Sequence, residues 1–308
     1  MPQGLFLYLV FSVGCRNFIL PVPHFISLKA YLRLIRFPNL VLIVLSQALV
    51  QACLLAAGVN WSMVARPGFA ALTLSTVFIA AAGYIINDYY DVKIDAINKP
   101  ERMLVGKAVR RRRAMFAHLV LSFIGVVIGL ALAIPVGLIN LGAVLLLWGY
   151  SARMKKMLLV GNVVIALLAA SMLLVVAVYN DALNKITLGY ALFAFLISLI
   201  REIIKDMEDM KGDASFDCRT LPIVAGIRNT KLVLYPLVAL FLLFLLVVVF
   251  HRRTALLFDS YMLVLVLLPS VWLVIKLARS DRRRDFTYLS SLNKFIMLTG
   301  ILSMLLVG

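Results

Sequence analysis

Charged residues make up only 15% of this 308-residue chain, and just 14 residues are acidic. The hydrophobic share is 63% and the mean hydropathy +1.02. This excludes an ordinary water-soluble domain, in which roughly half the residues are apolar and about a quarter charged. Cysteine is nearly missing: Cys15, Cys53 and Cys218 stand alone without CxxC spacing, which excludes a disulfide framework. They read as reduced, structural residues. His24, His118 and His251 are equally scattered and exclude a histidine-ligated zinc centre. A formal charge of +17 would suggest a nucleic-acid partner in a soluble protein. Here the basic residues lie between long apolar runs, so they mark membrane topology and no nucleic acid is expected.

What is abundant is apolar sequence in blocks of membrane-spanning length. A helix needs roughly 20 apolar residues to cross about 30 Å of hydrocarbon. That ruler gives nine spans, near 37–58, 68–86, 115–133, 135–150, 158–179, 186–204, 232–250, 255–275 and 288–307. The run from 115 to 150 would extend roughly 54 Å as one helix, so it divides into two, and Pro135 supplies the break. The first 27 residues join an apolar stretch, Leu5 to Val13, to Arg16, Pro21 and Pro23 without a small-residue cleavage site. They read as an extension before one transmembrane domain, 28–308.

Basic residues fall on alternate connections. Lys29, Arg33 and Arg36 precede the first span, and Lys93, Lys99, Arg102, Lys107 and Arg110 to Arg113 lie between the second and third. Arg153, Lys155 and Lys156 follow the fourth; Lys205, Lys211, Arg219, Arg228 and Lys231 surround the next such connection; Lys276, Arg279 and Arg282 to Arg284 make the last group. The intervening connections hold only Arg66, Lys185, Arg252 and Arg253. The positive-inside rule then places the N-terminus and every large polar loop in the cytoplasm and the C-terminus outside, with an odd number of spans.

Ten of the 14 acidic residues sit in two windows. In Asn87-Asp88-Tyr-Tyr-Asp91-Val-Lys-Ile-Asp95 the aspartates stand at i, i+3 and i+7, and Asp206, Asp209 and Asp213 repeat that spacing. At helical pitch each set shares one face; Asn87 borders the first stripe and Glu202 extends the second. The recurrence four spans apart hints at an internal repeat. Carboxylates at the end of a membrane helix require neutralisation, at roughly 2.5–3.5 kcal/mol per charge on insertion scales. Carboxylate and amide oxygens without histidine or thiolate suit Mg2+, which binds through a few carboxylates plus substrate phosphates. A solvated acidic helix end accounts for either window alone but not for two with identical spacing on one side. A transporter would place its carboxylates near the bilayer midplane or on both faces.

Cations and polar groups accompany the stripes. Arg102, Lys155, Arg201 and Lys205 are candidates to clamp phosphate oxygens, and Arg201 stands on the membrane side of the second stripe, where charge marks function. Tyr150 ends the fourth span ahead of Lys155, and Arg36 and Asn39 open the first. Polar groups from four helices thus converge on one mouth.

Asn87-Asp88-x-x-Asp91-x-x-x-Asp95, then Asn98-Lys99-Pro100 and Arg102, then Tyr150-Ser151 with Lys155, resembles the UbiA superfamily of intramembrane prenyltransferases from about Leu28 to the C-terminus. The segment from Arg201 to Asp213, followed by Thr220-Leu221-Pro222, looks most like the digeranylgeranylglyceryl phosphate synthase branch. This resemblance implies an all-α bundle of nine helices around a central cavity. Asn87 and the six aspartates would hold Mg2+ on the diphosphate of a polyprenyl donor. Arg36, Asn39, Arg102, Tyr150, Lys155, Arg201 and Lys205 would bind substrate. The acceptor would be geranylgeranylglyceryl phosphate or, alternatively, an aromatic quinone precursor, and the loops after Asp95 and Asp213 would form a lid.

Overall fold

The computed structural model of the protein describes residues 28–55, 58–98, 100–101, 103–251 and 256–307; the expected extension 1–27 lies outside them. Among the described residues there is no β-strand, only one isolated bridge between Val105 and Val109. The helices are α1 (Leu28–Leu34), α2 (Phe37–Leu49, continued by a π-helical turn, Val50–Leu54), α3 (Pro67–Asn98), α4 (Arg111–Leu132), α5 (Ile134–Ala152), α6 (Val160–Tyr179) and α7 (Lys185–Ala214). Then come α8 (Leu221–His251), α9 (Leu256–Tyr261, leading through the π-helical Met262–Leu267 into α10, Leu268–Ala278) and α11 (Arg283–Leu302). Nine helical segments among the described residues are long and apolar enough to cross a membrane, as the sequence predicts. The protein is a multi-pass, all-helical membrane protein.

Local chemistry explains the helix boundaries. The break ahead of Pro135 is a single extended residue, Ala133 (φ −166°, ψ 145°), after which Pro135 opens α5, where an amide hydrogen is dispensable. α4 and α5 then pack closely: a Cβ on Gly129 would lie 2.3 Å from the Asn140 amide, so only glycine admits this contact. Asn140 satisfies its own amide on Ser75 Oγ and the Gly125 carbonyl. α8 begins at Leu221, eleven residues before the expected 232, and is interrupted at Gly226 (φ 78°, ψ 164°), a conformation that favours glycine. Hydropathy alone misses that short leading piece because Arg228 and Lys231 dilute it.

α3 and α7 depart most from the expected lengths. The apolar windows end at 86 and 204, yet the helices continue to Asn98 and Ala214. No proline intervenes, and carboxylates on one face leave the backbone ladder intact. At 1.5 Å per residue they extend roughly 48 and 45 Å, well beyond about 30 Å of hydrocarbon. The stripes therefore fall where the helices overshoot the apolar layer.

α7 is the central helix, packed against α3, α6, α8 and α11. One buried core joins α7, α8, α10 and α11 through Ile197, Ile200, Phe241, Leu273 and Ile296; a second joins α2, α3 and α6 through Leu49, Leu72 and Leu173. Large apolar side chains also face outward, Phe116 and Phe123 each 69% exposed, as a hydrocarbon solvent allows. At the end carrying the stripes, Val105 and Val109 pack with Leu34, Ile85 and Ala114. The connection after α3 is therefore anchored beneath α1. The connection after α7 is tied to the one after α5: the Arg219 amide donates to the Lys156 carbonyl (2.8 Å) and Lys156 Nζ to the Phe216 carbonyl (3.3 Å).

Candidate active site

The two stripes lie at one end of the bundle and face each other. Asp88, Asp91 and Asp95 are on the last three turns of α3, and Asp206, Asp209 and Asp213 are on the last turns of α7. The gap is narrow enough for Asp213 to feel the charges of Asp91 and Lys155 as well as its neighbour Asp209. Each carboxylate has company suited to its charge.

On α3, Asp88 accepts from Arg36 Nη2 at 3.0 Å and from the Asn87 amide, while Asp91 is paired with Lys155 Nζ. Asp88 and Asp91 are 17% and 14% exposed, so removing either cation would leave a carboxylate largely withdrawn from water without its partner. Arg36 stands between α1 and α2 in the left-handed region (φ 52°, ψ 53°), which is strained for a side chain with a Cβ. That turn aims its guanidinium at Asp88 and over the Tyr84 ring, 4.9 Å from the centroid. Burial alone would lower the Arg36 pKa, but the charges of Asp88, Tyr84 and Asp95 outweigh it and hold it above its ordinary value.

On α7, the neutralising groups are arranged differently. Glu202 is paired with Arg201 on its own helix and with Lys205 Nζ at 3.7 Å, one turn on. Asp206 accepts from a neutral amide, Asn162 Nδ2 of α6, at 2.8 Å. Tyr150, at the end of α5, lies within the electrostatic reach of Lys205, Glu202, Asp206 and Asp91. It joins the two halves. Beside them Cys218 is a free, buried thiol; burial, then the nearby Asp213, push its pKa up to about 11, which favours the thiol form at neutral pH.

Arg36, Asn87, Tyr150, Lys155, Arg201 and Lys205 thus gather around the six aspartates. Asn39 is half-buried in the first turn of α2, its backbone N–H donating to the Arg36 carbonyl (2.8 Å). Arg102 lies outside the described residues. Sequence reasoning overlooked Asn162 and Tyr84. The signal for Asn162 is present: a lone amide in the first turn of an otherwise apolar span is costly unless used. Tyr84 looks like any interfacial aromatic.

The donor set fits a hard divalent cation: oxygen atoms only, on two facing stripes, with no thiolate or imidazole. Among the described residues no three such groups converge on one point, because Asp88 and Asp91 are turned toward Arg36 and Lys155.

A multi-pass bundle with paired aspartate stripes and a ring of cations at one end defines a membrane enzyme that manages concentrated negative charge. The chain belongs to the UbiA prenyltransferase family, which residues 44–296 match, and is a prenyltransferase. Among curated relatives, digeranylgeranylglyceryl phosphate synthase of Pyrococcus horikoshii is 38% identical over 191 residues, 59% of this chain and 68% of that protein. The enzyme of the same name from Sulfurisphaera tokodaii is 35% identical over 206 residues, 66% and 72% of the two chains. In fold, the chain is similar to a solved digeranylgeranylglyceryl phosphate synthase structure (TM-score 0.69, 24% identity, 91% and 97% coverage). It is also similar to a UbiA homologue from Archaeoglobus fulgidus bound to DMAPP and Mg2+ (TM-score 0.65, 18% identity, 91% and 100% coverage).

Proposed function

We propose that the chain transfers a geranylgeranyl group from its diphosphate to the hydroxyl of geranylgeranylglyceryl phosphate, a step of membrane ether-lipid synthesis, at the cytoplasmic end of the bundle. The observation that carries this reading is the facing of the two stripes, with Asp213 in electrostatic reach of Asp91 and Lys155. The shared name of relatives 34–39% identical to this chain supports the choice of acceptor, and the alternation of basic connections supports the cytoplasmic orientation.

Asp88, Asp91 and Asp95 with Asn87, and Asp206, Asp209 and Asp213, are the residues that would hold Mg2+. When bound, Mg2+ neutralises charge on the diphosphate as it leaves. Lys155 and Arg36, beside Asp91 and Asp88, are the cations that would meet phosphate oxygens at the stripes. Arg201 and Lys205, paired with Glu202, serve the acceptor's own phosphate, with Asn39 and, from the sequence pattern, Arg102 as further substrate-binding residues. Tyr150, in electrostatic reach of both stripes, is a substrate-binding residue. The donor's tail lies in a central cavity among the apolar spans, which exclude the water that would otherwise capture the allylic cation. The anchored connections after α3 and α7 cover the mouth.

The test is purified protein with Mg2+, labelled geranylgeranyl diphosphate and a choice of geranylgeranylglyceryl phosphate, hydroxybenzoate or dihydroxynaphthoate. The expected product is the doubly prenylated glyceryl phosphate, abolished by EDTA and restored by Mg2+. Transfer to an aromatic acceptor alone would overturn the assignment of the acceptor.

A further inference from the structure

At the end of the bundle opposite the carboxylates, α7, α8, α9 and α11 enclose a half-open cavity of about 220 Å3. Its volume exceeds the roughly 150 Å3 of an engineered apolar cavity that stays dry and takes up benzene. Phe193, Phe244, Val248, Phe258 and Met262 make most of its wall. Tyr190 and Ser303, also in the wall, are hydrogen-bonded to each other at 2.7 Å. The π-helical stretch that starts at Met262 is likewise closed internally: Thr299 Oγ1 donates to the Leu265 carbonyl at 2.9 Å. An occupant meets hydrocarbon rather than hydrogen-bonding groups. Gly189 keeps the wall open, since a Cβ there would meet nothing within 4 Å, and Val247, 57% exposed, borders the mouth. The one charged lining residue is Lys185, exposed at the first position of α7.

We infer that this cavity is a binding site for an anionic membrane lipid, distinct from the prenyl-transfer site, with one hydrocarbon chain inside and the phosphate at Lys185. An apolar chamber whose rim, among the described residues, carries one cation, Lys185, matches an amphiphile with a negative head. Lys185 lies 21 residues from Asp206 on α7, roughly 32 Å along the axis. A phosphate held by the stripes therefore cannot also sit at Lys185, so an occupant whose head is at Lys185 is a separate molecule.

The test compares thermal unfolding of the purified protein in detergent with added phosphatidylglycerol or phosphatidylcholine of the same chains. Wild type should melt several degrees higher with phosphatidylglycerol than with phosphatidylcholine. Gly189→Phe, which fills the chamber from an open position, should lose the response to both lipids; Gly189→Leu provides the same test if the larger side chain prevents folding. Lys185→Glu should abolish the preference for the anionic lipid. Prenyl transfer should keep the same KM for donor and acceptor in all three variants. A wild-type lipid response in both glycine variants, or a preserved preference in Lys185→Glu, would overturn the site. A raised KM in the glycine variants would assign the chamber to a substrate chain and overturn the separate lipid.

Discussion

The α3 and α7 stripes share a spacing but not a surrounding. Asp88 and Asp91 are met by cations from other parts of the chain, Arg36 before α2 and Lys155 after α5. Glu202, at the head of the α7 row, draws its cations from its own helix, and Asp206 is met by the uncharged Asn162. The first stripe therefore ties helices together through charge, whereas the second is balanced largely within α7. Two motifs that read identically in one dimension can divide the work of a single site: one coupled to the packing of the bundle, the other supplying carboxylates to the gap.

The largest expected effect removes a carboxylate from either side. Asp91→Ala and Asp209→Ala should each lower the rate of prenyl transfer by about 10²–10³-fold, the usual cost of losing one preorganised electrostatic group; undiminished turnover in a labelled-donor assay would dismantle the bipartite site. Next, Lys155→Met should reduce both transfer and thermal stability, because it leaves Asp91 withdrawn from water without its cation. Arg201→Met should reduce transfer with a smaller loss of stability, since Lys205 still faces Glu202. Equal destabilisation of the two variants would break the contrast between the stripes.

Asn162→Leu should cost about 1–3 kcal/mol of stability by leaving Asp206 without its donor, and Asn162→Asp should cost activity as well by setting two carboxylates together. Urea or thermal unfolding beside the transfer assay checks both. The smallest effect concerns the left-handed turn: Arg36→Gly should be more stable than Arg36→Ala by about 1 kcal/mol, because both lose the pair with Asp88 and only glycine relieves the backbone. A more stable alanine variant would show that the turn is not maintained.

Much of the architecture is legible in the sequence because a bilayer imposes a length, and apolar runs report it directly. Among the described residues each of the nine expected spans corresponds to a helix of spanning length, and Pro135 marks a break that hydropathy alone misses. The ruler failed where polar residues ride on an unbroken helix, so α3 and α7 ran on past 86 and 204 and α8 began early. The shared face of each stripe followed from i, i+3, i+7 spacing. The pairing of Asp88 with Arg36 and of Asp91 with Lys155 did not, because it depends on how α1, α2 and α5 dock. Asn162 is legible as a lone amide in an apolar span, but its partner Asp206 is not, because that contact exists only once α6 lies against α7.

The most direct test of the central claim, that the stripes form one site, is a double-mutant cycle on transfer kinetics with Asp91→Ala, Asp209→Ala and the double variant. One bipartite site predicts strong non-additivity, with the double variant losing little more than either single one. Losses that simply multiply would mean that the two stripes act independently and would contradict the account.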